Sequence, residues 1–296
     1  VAVESRAMKI DPNYRSDNVT DRRGMGGTAM KVGGGLSIPV IIMVLLFTVF
    51  GGDSGDLGGV LNELGQPAPD AGGATGSAID PANDPDSQEL AIVSYVLDDS
   101  QALWADVFEA SGMDYPTSQL VVYEGGTSTS GCGYGQSAAG PFYCPADSTT
   151  YIDLGFFELM EQRFGAEGDF AQAYVVAHEI GHHVQNALGL SSQVRQQQQA
   201  NPSEANDLSV KLELQADCLA GVWANSADQE GELGITAADI DEAIAAAEAI
   251  GDDALQRQAG QNPNPESFTH GSSAQRVEWF TTGYETGDPN ACDTFG

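Results

Sequence analysis

Apolar residues recur at spacings of 4, 3, 4, 3 and 4 through Phe170, Tyr174, Ala177, Gly181, Val184 and Leu188. That is one stripe of an α-helix, continuous enough to bury it. Leu208, Leu212, Ala216, Leu219 and Trp223 form a second such stripe. The two patterns predict helices over 169–188 and 207–227. Further helical patterns cover 90–110, 156–164, 236–250 and 272–284. Thr236 and Ser272 are plausible N-caps, and Gly189 and Gly251 plausible stops. Gln119–Glu124, "QLVVYE", reads as a strand, and 151–154 is the best strand in the turn-rich stretch that follows. The polar segment "SSQVRQQQQANPSEAN" between the two striped helices reads as a loop. No internal repeat is visible. The fold class is α+β, mostly helical with a small sheet placed early.

A different pattern precedes this domain. No charged residue occurs from Val32 to Gly52, and Leu36–Phe50 is apolar apart from Ser37 and Thr48. About twenty such residues suffice for one helical span. A cleaved signal peptide would need a small-x-small site after the run, and "FGGD" fits that poorly. The sequence therefore predicts one transmembrane helix at 32–52 and a single-pass membrane protein. Residues 1–31 become a cytoplasmic basic tail and the C-terminal bulk lies outside the cytoplasm. Residues 53–88 are rich in Gly, Asp, Pro and Ala and read as a flexible acidic linker. The folded domain is then 89–296.

Charge sharpens this division. The 296 residues carry 11 basic and 43 acidic side chains, for a formal net charge of −32. Six of the basic residues lie within 1–31: Arg6, Lys9, Arg15, Arg22, Arg23 and Lys31. A nucleic-acid partner is excluded, because so acidic a surface repels polyanions. Salt adaptation is the simplest reading of the acidity. The four cysteines form no Cys-x-x-Cys pairs, which argues against a zinc ribbon. They allow three connectivities. The preferred one joins Cys132 to Cys144 across a Gly-rich loop and Cys218 to Cys292 across the tail. Four free thiols are the alternative, disfavoured by the expected location.

The candidate chemistry lies on the striped helices. His178 and His182 are four apart, so both imidazoles leave one face. That spacing suits two ligands of a tetrahedral Zn2+. Glu179, about 100° round the helix, reads as a general base rather than a ligand. His183 points away from the pair and is read as a supporting or surface residue. A third ligand is needed, and after His183 no histidine occurs until His270. Glu213, flanking the second stripe, supplies a carboxylate. Asp217, four residues on, is placed to accept a hydrogen bond from a ligand histidine and fix its orientation.

Five segments carry a resemblance: "SDNVTDRRGMGG", "GPFYCPADSTTYIDLGFF", "VVAHEIGHHVQNALG", "LELQADCLAGVWA" and "ESFTHGSSAQRVEWFTTGYETG". They resemble the bacterial neutral zinc metallopeptidases of membrane-anchored type, over nearly the whole chain except the linker. The Glu-x-x-x-Asp element is similar to that of the gluzincin peptidases. The resemblance implies a zincin-like fold, His178, His182 and Glu213 as zinc ligands and Glu179 as catalytic base. It implies a peptide or protein substrate aligned on a strand edge, for which 151–154 is the candidate. By the same resemblance His270 is a catalytic donor to the oxyanion, with Arg276 nearby. The function expected is zinc-dependent peptide hydrolysis outside the cytoplasm. The alternative is a non-catalytic envelope protein with a structural zinc, in which His270 would be the fourth ligand.

Overall fold

A computed structural model describes residues 8–24, 83–166 and 168–296. Strand β2 (Gln119–Tyr123) shows why a sheet forms early. Its alternate residues Leu120 and Val122 enter the main core, while Val121 and Tyr123 join Tyr151 and Cys144 in a smaller cluster. Apolar residues on both faces suit an interior strand. The other strands are β1 (Val19–Asp21), β3 (Gly126–Ser128), β4 (Tyr134–Gln136), β5 (Phe142–Cys144) and β6 (Thr149–Asp153). The main sheet has the order β1-β2-β6-β5. β1, β2 and β6 are parallel, with Val121 opposite Tyr151, and β5 is antiparallel to β6. β3 and β4 form a separate hairpin.

Eight α-helices account for most of the described residues. They are α1 (Ser87–Ala110), α2 (Gly155–Phe164), α3 (Asp169–Ala187), α4 (Leu190–Ala200), α5 (Ala205–Glu230), α6 (Ala237–Ala249), α7 (Asp252–Gln258) and α8 (Ser273–Thr286). Helix α3 is central, with Phe170, Tyr174, Val176, Ala177, Ile180 and Val184 all buried. Its Gly181 lies against Ala216 of α5, where an added Cβ would stand 3.0 Å from backbone. That glycine lets the two striped helices approach closely. Helices α5 and α8 are closer still. A Cβ on Gly221 or Gly283 would overlap the backbone of the facing helix. Helix α8 starts with a capping box, Ser272 accepting from Gln275 N while the Gln275 side chain accepts from Ser272 N. Disulfides join Cys132 to Cys144 and Cys218 to Cys292.

The structure corrects the expected topology. The run at 32–52 lies outside the described residues. No helix among the described residues is long and apolar enough to cross a membrane. Residues assigned to a cytoplasmic tail instead build the domain itself. Met8 and Ile10 are buried in the main core, and β1 is a strand of the sheet. Arg23 is buried and paired with Asp84 and Asp86, just before α1. A strand hydrogen-bonded into a sheet cannot be separated from it by a bilayer. The transmembrane helix and the single-pass localisation with a cytoplasmic tail are therefore withdrawn.

The expected substrate strand also changes. β6 is paired on both sides, by β2 and β5, so neither edge is open to a peptide. The sheet's outer strands are β1 and β5.

Candidate metal centre

Helix α3 presents His178 and His182 one turn apart, their ring centroids separated by 4.7 Å. Helix α5 brings Glu213 between them. His178 Nε2 lies 3.3 Å from Glu213 Oε2, and His182 Nε2 lies 3.5 Å from Glu213 Oε1. One ligand atom from each of the three residues falls within 4.8 Å of the others. A tetrahedral zinc with bonds of about 2.0 Å holds its ligand atoms about 3.3 Å apart. The donor set fits that ion, and each imidazole Nε2 lies near this distance from one Glu213 oxygen. Among the described residues this is the one group of His, Cys, Asp and Glu so arranged.

Charge holds the group together. Burial pushes the Glu213 carboxyl up. The charge of His182 and hydrogen bonds from both histidines outweigh this and hold it well below the usual range. Burial lowers His178, but the charge and hydrogen bond of Asp217, joined by Glu213, push it up to about 9. The same contest at His182, with Glu213 as the main partner, also ends in a raised value. A divalent cation would bind both imidazoles in their neutral form.

Asp217 lies behind the triad and is fully buried. Its Oδ1 is 2.8 Å from His178 Nδ1. Arg276 of α8 donates to both oxygens, Nε to Oδ2 and Nη2 to Oδ1, each at 2.8 Å. Tyr174 donates its hydroxyl to Oδ1 at 2.5 Å. Burial raises the Asp217 carboxyl, but Arg276 and His178 bring it below its ordinary value. An ionised Asp217 makes Nδ1 of His178 the protonated nitrogen and leaves Nε2 toward Glu213.

Glu179 is buried, and its Oε2 has no hydrogen-bond partner. Burial raises its carboxyl, against the pull of His182 and His178. A buried carboxylate oxygen without a partner is costly unless a donor such as water reaches it. His183 is occupied elsewhere. Its Nδ1 meets the Tyr143 hydroxyl at 2.9 Å and its Nε2 meets the Pro116 carbonyl. It ties α3 to β5 and to the loop before β2.

His270 does not join the triad. It lies in the loop before α8 with its side chain 51% exposed. Asp252 Oδ2 accepts from the backbone N–H of Thr269, His270 and Gly271, and Asp252 Oδ1 lies 3.2 Å from His270 Nδ1. Desolvation pulls the imidazole down, yet the bond to Asp252 and the charge of Glu213 raise it.

Sequence reasoning missed two residues here. Tyr174 stands four positions before His178, and Gln185 three after His182, with its Oε1 2.9 Å from His182 Nδ1. Helical spacing was the available signal for both. A cavity of about 550 Å3 lies at the C-terminal ends of β2 and β6 and includes none of the triad.

Comparison with known proteins adds to this geometry. The sequence model of a family described as "Putative neutral zinc metallopeptidase" matches residues 8–295. The chain is 46% identical to "Uncharacterized protein YpfJ" of Escherichia coli strain K12 over 294 residues, 98% of this chain and 99% of that protein. It is 48% identical to "Uncharacterized protein Rv2575" of Mycobacterium tuberculosis strain H37Rv over 190 residues, 61% of this chain and 63% of that protein. No solved structure gives a significant match.

Proposed function

Since the chain belongs to the neutral zinc metallopeptidase family, we propose that it hydrolyses peptide bonds, with His178, His182 and Glu213 holding a zinc ion and Glu179 acting as general base. The carrying observation is the pair of distances from the two imidazole Nε2 atoms to the two oxygens of one carboxylate, 3.3 and 3.5 Å.

The bound ion would supply Lewis-acid chemistry, polarising the scissile carbonyl and acidifying water. The chain's residues do the rest. Glu179 takes a proton from the attacking water and returns it to the leaving amine. Its unpartnered Oε2 is the atom free for that exchange. His270, oriented by Asp252, donates a hydrogen bond to the developing oxyanion. Asp217 fixes the tautomer of His178. An extended substrate pairs with the free edge of β5, which is tied to the metal helix through Tyr143, His183 and Asn186.

A structural zinc would need a fourth protein ligand. Of the two remaining histidines, His183 has both ring nitrogens engaged, and His270 lies outside the group of ligand atoms, its Nδ1 held by Thr269 and Asp252. A structural site would also leave the buried Glu179 oxygen without a use. Both points favour the catalytic reading.

The test is cleavage of a mixed peptide library by the zinc-supplied full chain, read by mass spectrometry. Glu179→Gln is expected to lower kcat by roughly 10²- to 10⁴-fold while leaving zinc bound. No zinc-dependent cleavage by the folded wild-type chain, or full activity in Glu179→Gln, would sink the proposal.

A further inference from the structure

The two metal-helix histidines are supported differently. His178 rests on a carboxylate, whereas His182 Nδ1 faces an amide, Gln185 Oε1, at 2.9 Å. An amide could present either oxygen or nitrogen to an imidazole, so something must decide which. Here backbone carbonyls decide. Gln185 Nε2 donates to the Leu212 carbonyl at 2.7 Å and to Gln215 Oε1 at 3.1 Å. A carbonyl only accepts, so the NH2 end of Gln185 must face Leu212 and its oxygen must face His182. An oxygen there also only accepts, so His182 Nδ1 must carry the proton. Its Nε2 lone pair is then left for the ion, on the side of Glu213.

Gln215 repeats this logic one step further out. Its Nε2 donates to the carbonyl of Cys292 at 2.9 Å, which turns its oxygen toward Gln185. Cys292 is held to α5 by its bridge with Cys218. Leu212 and Gln215 bracket the ligand Glu213 in sequence, and Gln185 is 1% exposed. One amide therefore joins the helix carrying two ligands to the turn carrying the third.

We propose that Gln185 is a positioning residue of the metal centre, setting the tautomer and direction of His182, and that Gln215 keeps the Gln185 amide turned for that task. The inference rests on the metal reading of the triad, but its first readout does not need the metal.

The experiment compares full-length wild type with Gln185→Leu, Gln185→Glu and Gln215→Leu. Three quantities are measured: exchange protection of the His182 Nδ1–H by 15N NMR without metal, zinc affinity by chelator competition, and thermal stability. In Gln185→Leu the protected Nδ1–H is expected to disappear and zinc affinity to fall roughly 10- to 100-fold. Gln185→Glu keeps an acceptor toward His182 but sets a carboxylate oxygen against the Leu212 carbonyl. It should hold zinc nearly as wild type does while losing stability as Gln185→Leu does. A merely structural role would make affinity and stability fall together in both variants, and that result overturns the proposal. So does a folded Gln185→Leu that keeps its protected proton or its zinc affinity. If Gln185→Leu does not fold, Gln215→Leu decides: weakened zinc binding with a less protected His182 Nδ1–H supports the proposal, and unchanged values overturn it. A wild-type chain that binds no zinc would remove the peptidase reading, while the His182 proton would still report on Gln185.

Discussion

Asp217 accepts four hydrogen bonds from three side chains, and its value to the site depends on all of them staying in place. Arg276 is 2% exposed and donates two of the four. Shortening it to an apolar residue leaves a buried carboxylate against a histidine and a tyrosine. Arg276→Leu is expected to cost about 3 kcal/mol of unfolding free energy, the usual penalty for breaking one side of a buried pair. Tyr174→Phe removes one neutral donor and should cost about 1 kcal/mol. Urea unfolding of the metal-free chain measures both, and equal losses would contradict the ranking. The four-residue spacings made His178, His182, Glu213 and Asp217 visible in the sequence, since each pair lies on one helix face. Nothing comparable marked the Arg276–Asp217 contact, which spans 59 residues and depends on how α8 crosses α5. His270 shows the limit from the other side. Its role follows only from the resemblance to related peptidases, and the structure pairs it with Asp252, a partner no local pattern indicates.

Helix α8 can reach Asp217 only because it lies almost in contact with the backbone of α5. Gly221 and Gly283 face each other's helices there, and a methyl on either would overlap main chain. Backbone yields less readily than a side chain. Gly283→Ala is therefore expected to destabilise by at least 1–3 kcal/mol, despite the better helix propensity of alanine. It should also loosen the Arg276 clamp. A thermal melt at or above the wild-type value would show that the helices can separate at no cost. The striped helices were legible because each buries one face, and the observed α3 and α5 begin and end within a few residues of the sequence reading. The sequence of helix α4 reads as a loop. Among its eleven residues only Ser191 and Val194 are buried, so no stripe existed to detect. Strand β1 escaped for a related reason. Three residues carry no alternation, and its place is set by backbone pairing with β2, a property absent from any local pattern.

At the scale of the whole molecule, the N-terminal segment closes the sheet beside the point where the chain enters α1. Arg23 Nη2 lies 2.7 Å from Asp84 Oδ2 and from Asp21 Oδ2, and Nη1 lies 2.9 Å from Asp86 Oδ2. The side chains of Arg23 and Asp84 are 4% and 3% exposed, so water does little to screen this pair. The uncharged run at 32–52 suggested an anchor that would have divided these partners, because hydropathy registers composition and not the pairing of distant segments. The ion pair makes the junction sensitive to acid. Burial alone would raise the Asp84 carboxyl, but the hydrogen bond and charge of Arg23 bring it below its ordinary value. A carboxyl depressed in the folded state contributes stability that is present above the unfolded pKa of about 3.9 and is lost as pH falls through the folded value. Asp84→Asn should therefore lower stability by about 3 kcal/mol at pH 7. The gap from wild type should narrow below about pH 4, as the wild-type carboxyl takes up its own proton. Denaturant titrations of both chains at several pH values measure that gap. A gap that stays constant down to pH 2 would mean that the Arg23–Asp84 charge pair does not hold the N-terminal strand in place.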